Sequence, residues 1–222
     1  MRRSNPARRP KFDCAHRASL LDCFASLAMT QDCSQIEDIK MASAFFDSFL
    51  DEIEARTEIA DTLKRFIRGI DRKDWALALS TYHEDAIDEH GFFNGRADKF
   101  LDVVAQNHEH QQHSMHVISN MLIEFTARDR ALVETYCLVF QRFGPGAPEV
   151  PPASAGVRKI ATARYVDRFE ARGGQWRIAH RTLVFGDIQS ETLDAPVRFP
   201  PDFVEQRHGT DDFLYKARAL MS

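Results

Sequence analysis

The sequence predicts an α+β fold in which N-terminal helices pack into a curved, mostly antiparallel sheet. Three observations carry this: apolar residues recur at helical spacing in the first half, long alternating segments follow from His113 onward, and two of the connections between those segments are short enough for hairpins. Helices first and strands afterwards define a layout in which one sheet wraps around the helices.

From Ser48 to Ile70 the residues Phe49, Ile53, Ile59, Leu63, Phe66, Ile67 and Ile70 form one apolar stripe. An acidic start and the later Lys64, Arg65 and Arg68 complement the helix dipole. A second helix is expected from Asp74 to His83, with Asp74 as N-cap. The segment AIDEHGFF reads as a short strand, and Ala97 to Gln112 as a third helix through Phe100, Val103, Val104 and Asn107. Strands are expected over His113–Thr126, Ala131–Phe143, Ile160–Ala171 and Gln175–Ile188, joined by ARDR and ARGG at the two hairpins. Between the second and third strands GPGAPEVPPASAG forbids regular structure and reads as a mobile loop.

Composition bounds the function. With 44% hydrophobic and 28% charged residues and 17 Phe, the 222-residue chain reads as one water-soluble domain with a strongly apolar interior plus some tail. A net charge of −4 argues against nucleic acid as a partner. No run approaches the roughly 18 apolar residues of a membrane span, so no membrane partner is expected. The spacing of Cys14, Cys23, Cys33 and Cys137 fits neither a zinc motif nor a disulfide framework, and points to a reducing, cytoplasmic setting.

Three parts are expected. Residues 1–40 form a basic, Pro-containing prefix whose SLLDCFASLAMT resembles a secretory signal only superficially, since Asp22 and Cys23 break the apolar run. It also resembles translated bacterial repeat DNA ahead of a mis-assigned start. Met41 is then the expected true start, and the prefix is expected to be weakly ordered. Residues 41–189 form the domain, and 190–222 a tail whose DDFLYKARAL reads as a short helix, placed to cover a pocket mouth or a neighbouring subunit.

The order of elements, with RGIDRKDW at 68–75, YHEDAIDEHG at 82–91, HSMHVISNMLIEF at 113–125 and RYVDRFEARGGQWRIAHR at 164–181, resembles the SnoaL-like branch of the nuclear-transport-factor-2-like (NTF2-like) superfamily. That superfamily includes scytalone dehydratase, a hexachlorocyclohexane dehydrochlorinase, polyketide cyclases and ketosteroid isomerase. The resemblance spans Thr57 to Gln189 and implies a cone-shaped domain. In the dehydrochlorinase-like branch an Asp at the end of the first helix pairs with a His on the first long strand, and an Arg on the last strand completes the site. The matching positions here are Asp71, His116 and Arg181. A Lys of some relatives falls on Phe66, a departure that weakens dehydrochlorination specifically. Tyrosines line related pockets, which makes Tyr82, Tyr136 and Tyr165 candidates by neighbourhood.

A neutral His is a competent general base, and a carboxylate on its other ring nitrogen fixes the tautomer. A fixed guanidinium stabilises the negative charge that proton abstraction builds. The residues themselves leave blander uses open: His116 as a core histidine, Asp71 as a turn residue between helices, Arg181 as a snorkelling surface residue. Alternation places His116 with Ile118, Asn120 and Leu122, opposite the more apolar face of Met115, Val117, Met121, Ile123 and Phe125. Asp88 and His90 share a direction along their strand, facing either the pocket or solvent. His108, His110 and His113 invite a metal reading, but helical spacing scatters them.

The resemblance implies a lyase or isomerase, dehydratase-like, that needs neither metal nor organic cofactor and acts on a small hydrophobic cyclic molecule. Its pocket is expected to use Phe66, Tyr82, Asp88, His90, Ile118, Asn120, Tyr136 and Tyr165. The alternative is a non-catalytic binding or assembly module such as a dioxygenase small subunit, because fold alone does not choose. A homodimer or homotrimer through the outer strand face is expected.

Overall fold

A computed structural model describes residues 45–221, so the expectations for the prefix lie outside the described residues. Helix α1, Phe49–Arg72, starts at Ser48, whose hydroxyl accepts from the Asp51 N–H at 3.2 Å. Asp51 and Glu52 in its first turn and Arg72 in its last suit the dipole. It stops at Lys73, whose left-handed φ of 55° turns the N–H back onto the carbonyls of Gly69 and Ile70.

The short helix α2, Trp75–Leu79, is capped by Asp74, whose carboxylate accepts from the Leu77 N–H at 3.0 Å. The expected helix to His83 stops earlier because the chain pairs with the sheet instead: the Ile178 N–H donates to the Thr81 carbonyl, and strand β1 opens at Tyr82. Strand β1 is Tyr82–Glu89, β2 Asn94–Arg96, and helix α3 Ala97–Asn107. That helix is shorter than its polar end suggested, because Lys73 Nζ captures the carbonyls of His108 and Gln111 at 2.6 and 3.1 Å and Gln111 already pairs with Phe143.

The long strands are β3 Gln111–Ala127, β4 Arg130–Phe143, β5 Gly156–Arg172 and β6 Gln175–Leu193. Sheet order is β2-β1-β6-β5-β4-β3, antiparallel except where β1 runs parallel to β6. The β5–β6 turn places Gly173 and Gly174 at φ 60° and 77°, the positive pair that a tight hairpin requires. Strands β5 and β6 outrun their expected ends because each satisfies the other's backbone groups as far as Gly156 and Leu193. Ser190 to Leu193 thus belong to the sheet rather than to a free tail. The tail helix α4, Phe213–Ala219, is capped by Asp212.

The core fills the concave side: Ile59, Leu63, Phe66 and Ile70 of α1 and Phe100 and Val104 of α3 pack with Val133, Cys137, Tyr165, Phe169 and Ile178 of the sheet. Strand β3 holds an irregularity between Ser119 and Met121, where Asn120 takes φ 28°. One extra residue inverts the faces beyond it. His116 and Ile118 therefore share the inner side with Met121, Ile123 and Phe125, while Met115, Val117 and Leu122 are exposed.

Helices α1 and α2 touch at Gly69, where an added Cβ would lie 2.6 Å from the Ala78 backbone nitrogen and 2.8 Å from its Cα. Gly69→Ala is expected to lower stability by about 1–3 kcal/mol in urea unfolding, although alanine is the better helix former.

Candidate active site

Asp71 lies in the last turn of α1, directed at the first half of β3. Its Oδ1 lies 2.6 Å from His116 Nδ1 and accepts from the Ser114 hydroxyl at 2.8 Å, and its Oδ2 accepts from the His116 N–H at 2.9 Å. The two side chains are only 9% and 8% exposed. Burial alone pushes the Asp71 carboxyl up. The hydrogen bonds and charge of His116, with the Ser114 hydroxyl, outweigh it, and the carboxyl ends below its usual range. Because Nδ1 faces the carboxylate, Nε2 is the ring atom left for chemistry.

The C-terminal segment grips this junction from behind. His208 places its ring nitrogens 3.2 Å from the Asp71 carbonyl and 3.1 Å from the Gln111 carbonyl, and Gln206 Nε2 donates to the Ser114 carbonyl at 2.6 Å. Arg72 pairs with Asp212 at 3.3 Å, and the Tyr215 hydroxyl donates to Asp74 at 3.2 Å. Each contact lands on one of the two segments that carry Asp71 and His116.

A second buried network centres on Arg181. Its Nε and Nη2 both donate to Asp167 at 2.7 Å, and Nη1 reaches the Tyr82 hydroxyl at 3.4 Å. The guanidinium lies 4.2 and 4.0 Å from the ring centres of Phe66 and Tyr165. Burial opposes its charge, but Asp167 more than compensates and holds it cationic, well above its ordinary value. The Tyr82 hydroxyl donates to Asp88 Oδ2 at 2.6 Å, and His90 Nδ1 lies 2.7 Å from Asp88 Oδ1. Burial keeps Tyr82 a neutral phenol.

The structure thus brings Asp71 and His116 together, and separately joins Arg181, Tyr82, Asp88 and His90. Phe66 and Tyr165 are buried beside Arg181, and Ile118 packs against the core next to His116. Two expected pocket positions lie elsewhere. Tyr136 points to the outer face at 45% exposure beneath Arg164, because inward positions on β4 are Thr135 and Cys137. Asn120 is exposed because it sits at an irregularity of β3, between the paired Ser119 and Met121. Arg181 itself is not open to solvent, its charge being already matched by Asp167. A cleft of about 530 Å³ on the outside, lined by Leu79, Tyr82, His83, Arg96 and Arg177, does not include the Asp71–His116 couple.

Sequence reasoning missed Ser114, Asp167, Gln206 and His208. Only Asp167 carried a signal: it shares an apolar strand face with Tyr165 and Phe169, where a carboxylate needs a buried cationic partner.

A cone of helices in a curved sheet, with an aspartate–histidine couple at the end of its first helix, defines a class before any name. The chain belongs to the SnoaL-like domain family, whose model matches residues 51–182, and this family lies within the NTF2-like superfamily. Among solved structures it resembles a type 2 hexachlorocyclohexane dehydrochlorinase (LinA) at 19% identity and TM-score 0.58, covering 70% of this chain and 100% of that one. LinA-type3 from Novosphingobium barchaimii LL02 gives 18% and 0.57, with 69% and 100% covered. A candidate scytalone dehydratase from Novosphingobium aromaticivorans DSM 12444 gives 18% and 0.54, with 71% and 100% covered. No curated protein matches the sequence.

His108, beside this site, is pushed down to about 4 by burial and by the nearby charges of His116 and Lys73. A folded value below the free histidine value of 6.5 means that folding excludes a proton. Stability is complete above pH 6.5, falls as pH drops towards 4, and levels off below. The expected loss is about 2–3 kcal/mol between pH 7.5 and 4.5 in urea unfolding, and His108→Gln should flatten that slope.

Proposed function

We infer that this protein is a cofactor-independent, dehydratase-like lyase or an isomerase that acts on a small hydrophobic cyclic molecule, with His116 as general base. The observation that carries this reading is the buried Asp71–His116 couple with Nδ1 held and Nε2 left for substrate. Nε2 takes a proton from carbon next to a leaving group or carbonyl, and Asp71 stabilises the imidazolium that forms. Phe66, Tyr82, Asp88, His90, Ile118 and Tyr165 supply the surrounding wall. Arg181 acts at one remove, holding Tyr82 and the aromatic rings in place. The unit that works is the cone together with the tail segment that braces Asp71, in a cytoplasmic setting that suits the buried free Cys137.

Screening hydroxylated and halogenated cyclic compounds tests this. His116→Ala should lower kcat by about 10²–10⁴-fold and Asp71→Asn by a comparable factor. Turnover by His116→Ala equal to wild type would sink the base assignment.

The outer face of β3 and β4 exposes Met115, Val117, Leu122, Leu132, Tyr136 and Leu138. An apolar surface of this kind supports a homodimer or homotrimer paired through it. Solution mass measurement at micromolar concentration should give two or three chains, and a monomer would refute the pairing. The same face favours a second reading, a non-catalytic assembly module like a dioxygenase small subunit. Absence of turnover across the compound screen, with a larger partner bound on this face, would select it.

A further inference from the structure

We propose that His90 is a second proton-transferring group of the same site, the acid that protonates the departing oxygen while His116 takes the proton from carbon. This rests on the lyase or isomerase reading above and assigns the half of that reaction which one base cannot perform.

The ring of His90 repeats the arrangement of His116. Its Nδ1 is 2.7 Å from a fully buried carboxylate, Asp88, which also accepts from the Tyr82 hydroxyl, so the tautomer is fixed and Nε2 is the free ring atom. Stacking on Phe100, at 4.4 Å between ring centres and 29° between planes, fixes its direction. Beside it stand the exposed rings of Phe92 and Phe185, at 5.5 and 6.5 Å. Two carboxylate-held imidazoles in one small domain are more than a satisfied core requires.

Strand register puts His116 on the concave face, and stacking on the buried Phe100 turns the ring of His90 towards the same interior. Ile118, Cys137, Ala163 and Phe185 form one row across β3, β4, β5 and β6, and the neighbouring row begins at His116 with Val139 and Ala161. His90 meets that first row at Phe185, whereas His116 borders it at Ile118. The histidines thus border opposite ends of one apolar row, a spacing suited to a flat ring bearing a hydroxyl at one end.

In an elimination, the C–H bond breaks as His116 Nε2 takes the proton, and its electron pair becomes the new C=C bond. The adjacent C–O bond breaks with its pair on oxygen, which takes the Nε2 proton of His90 and leaves as water. His116 ends protonated and His90 neutral. Release of one proton to solvent and uptake of another resets both.

The test uses the full chain with ¹⁵N-labelled histidine and 2-naphthol, a fused ring with one hydroxyl, against naphthalene, which has none. Imidazole nitrogen resonances are assigned with His90→Phe and His116→Gln. Saturating 2-naphthol is expected to shift His116 and His90 together, and His90→Phe to weaken 2-naphthol binding by about tenfold while naphthalene binding stays within twofold. A shift of His116 alone would overturn the role of His90 and leave the base reading standing. A shift of neither ring would overturn both. Should His90→Phe not fold, the His90 resonances are assigned in the wild-type chain through the contacts of its ring with Phe92 and Phe100, and the wild-type spectra decide between these outcomes.

Discussion

The buried pairing of Arg181 with Asp167 is the constraint around which the cone is organised. Neither charge has any exposed surface, and both oxygens of the carboxylate are matched by parallel N–H groups. Leaving either side chain without the other would cost on the order of 3–5 kcal/mol, a large part of a domain's net stability. The pair also sets register. A one-residue slip of β6 on β5 would turn Arg181 to the outer face and strand Asp167 in the core, so the hairpin has one permitted alignment. Phe66 and Tyr165 then close over the guanidinium, and Tyr82 is drawn inward to it, which orients Asp88 and His90.

The Asp71–His116 couple depends on a different joint. Helix α1 ends one residue past Asp71, Lys73 fastens the turn after α3 to that end, and Ser114 and His116 of β3 complete the carboxylate's partners. The tail residues Gln206, His208 and Asp212 bind this joint from outside, although they fall beyond the matched domain. A general base needs its orientation held to a fraction of an ångström. Here that precision comes from three chain segments meeting around Asp71: β3 holds its carboxylate, and the tail holds the backbone carbonyls of Asp71 and Ser114.

Much of this was legible in order and pattern. The apolar stripe of α1, the Asp74 cap and the Gly173–Gly174 turn each act within a few residues, so local chemistry announces them. Motif spacing picked out Asp71, His116 and Arg181 through family likeness. Element ends were misjudged wherever pairing overrode local preference, as at Tyr82, which joins a strand although the pattern reads on as helix, and at Gln111, drawn into β3 by Phe143 and Lys73.

What the sequence by itself determined is the α+β layout, the two hairpins and the acidic end of the first helix, because these follow from periodicity and turn chemistry. Only the tertiary structure decided which way His116 faces, since strand periodicity is two and the irregularity at Asn120 inverts the positions from Met121 to Phe125. It also decided that Arg181 is spoken for by Asp167, that Tyr136 points outward, and that His208 lies against Asp71. The reason is common to all: each partner lies far along the chain or across a strand, where no local pattern records the distance that folding closes.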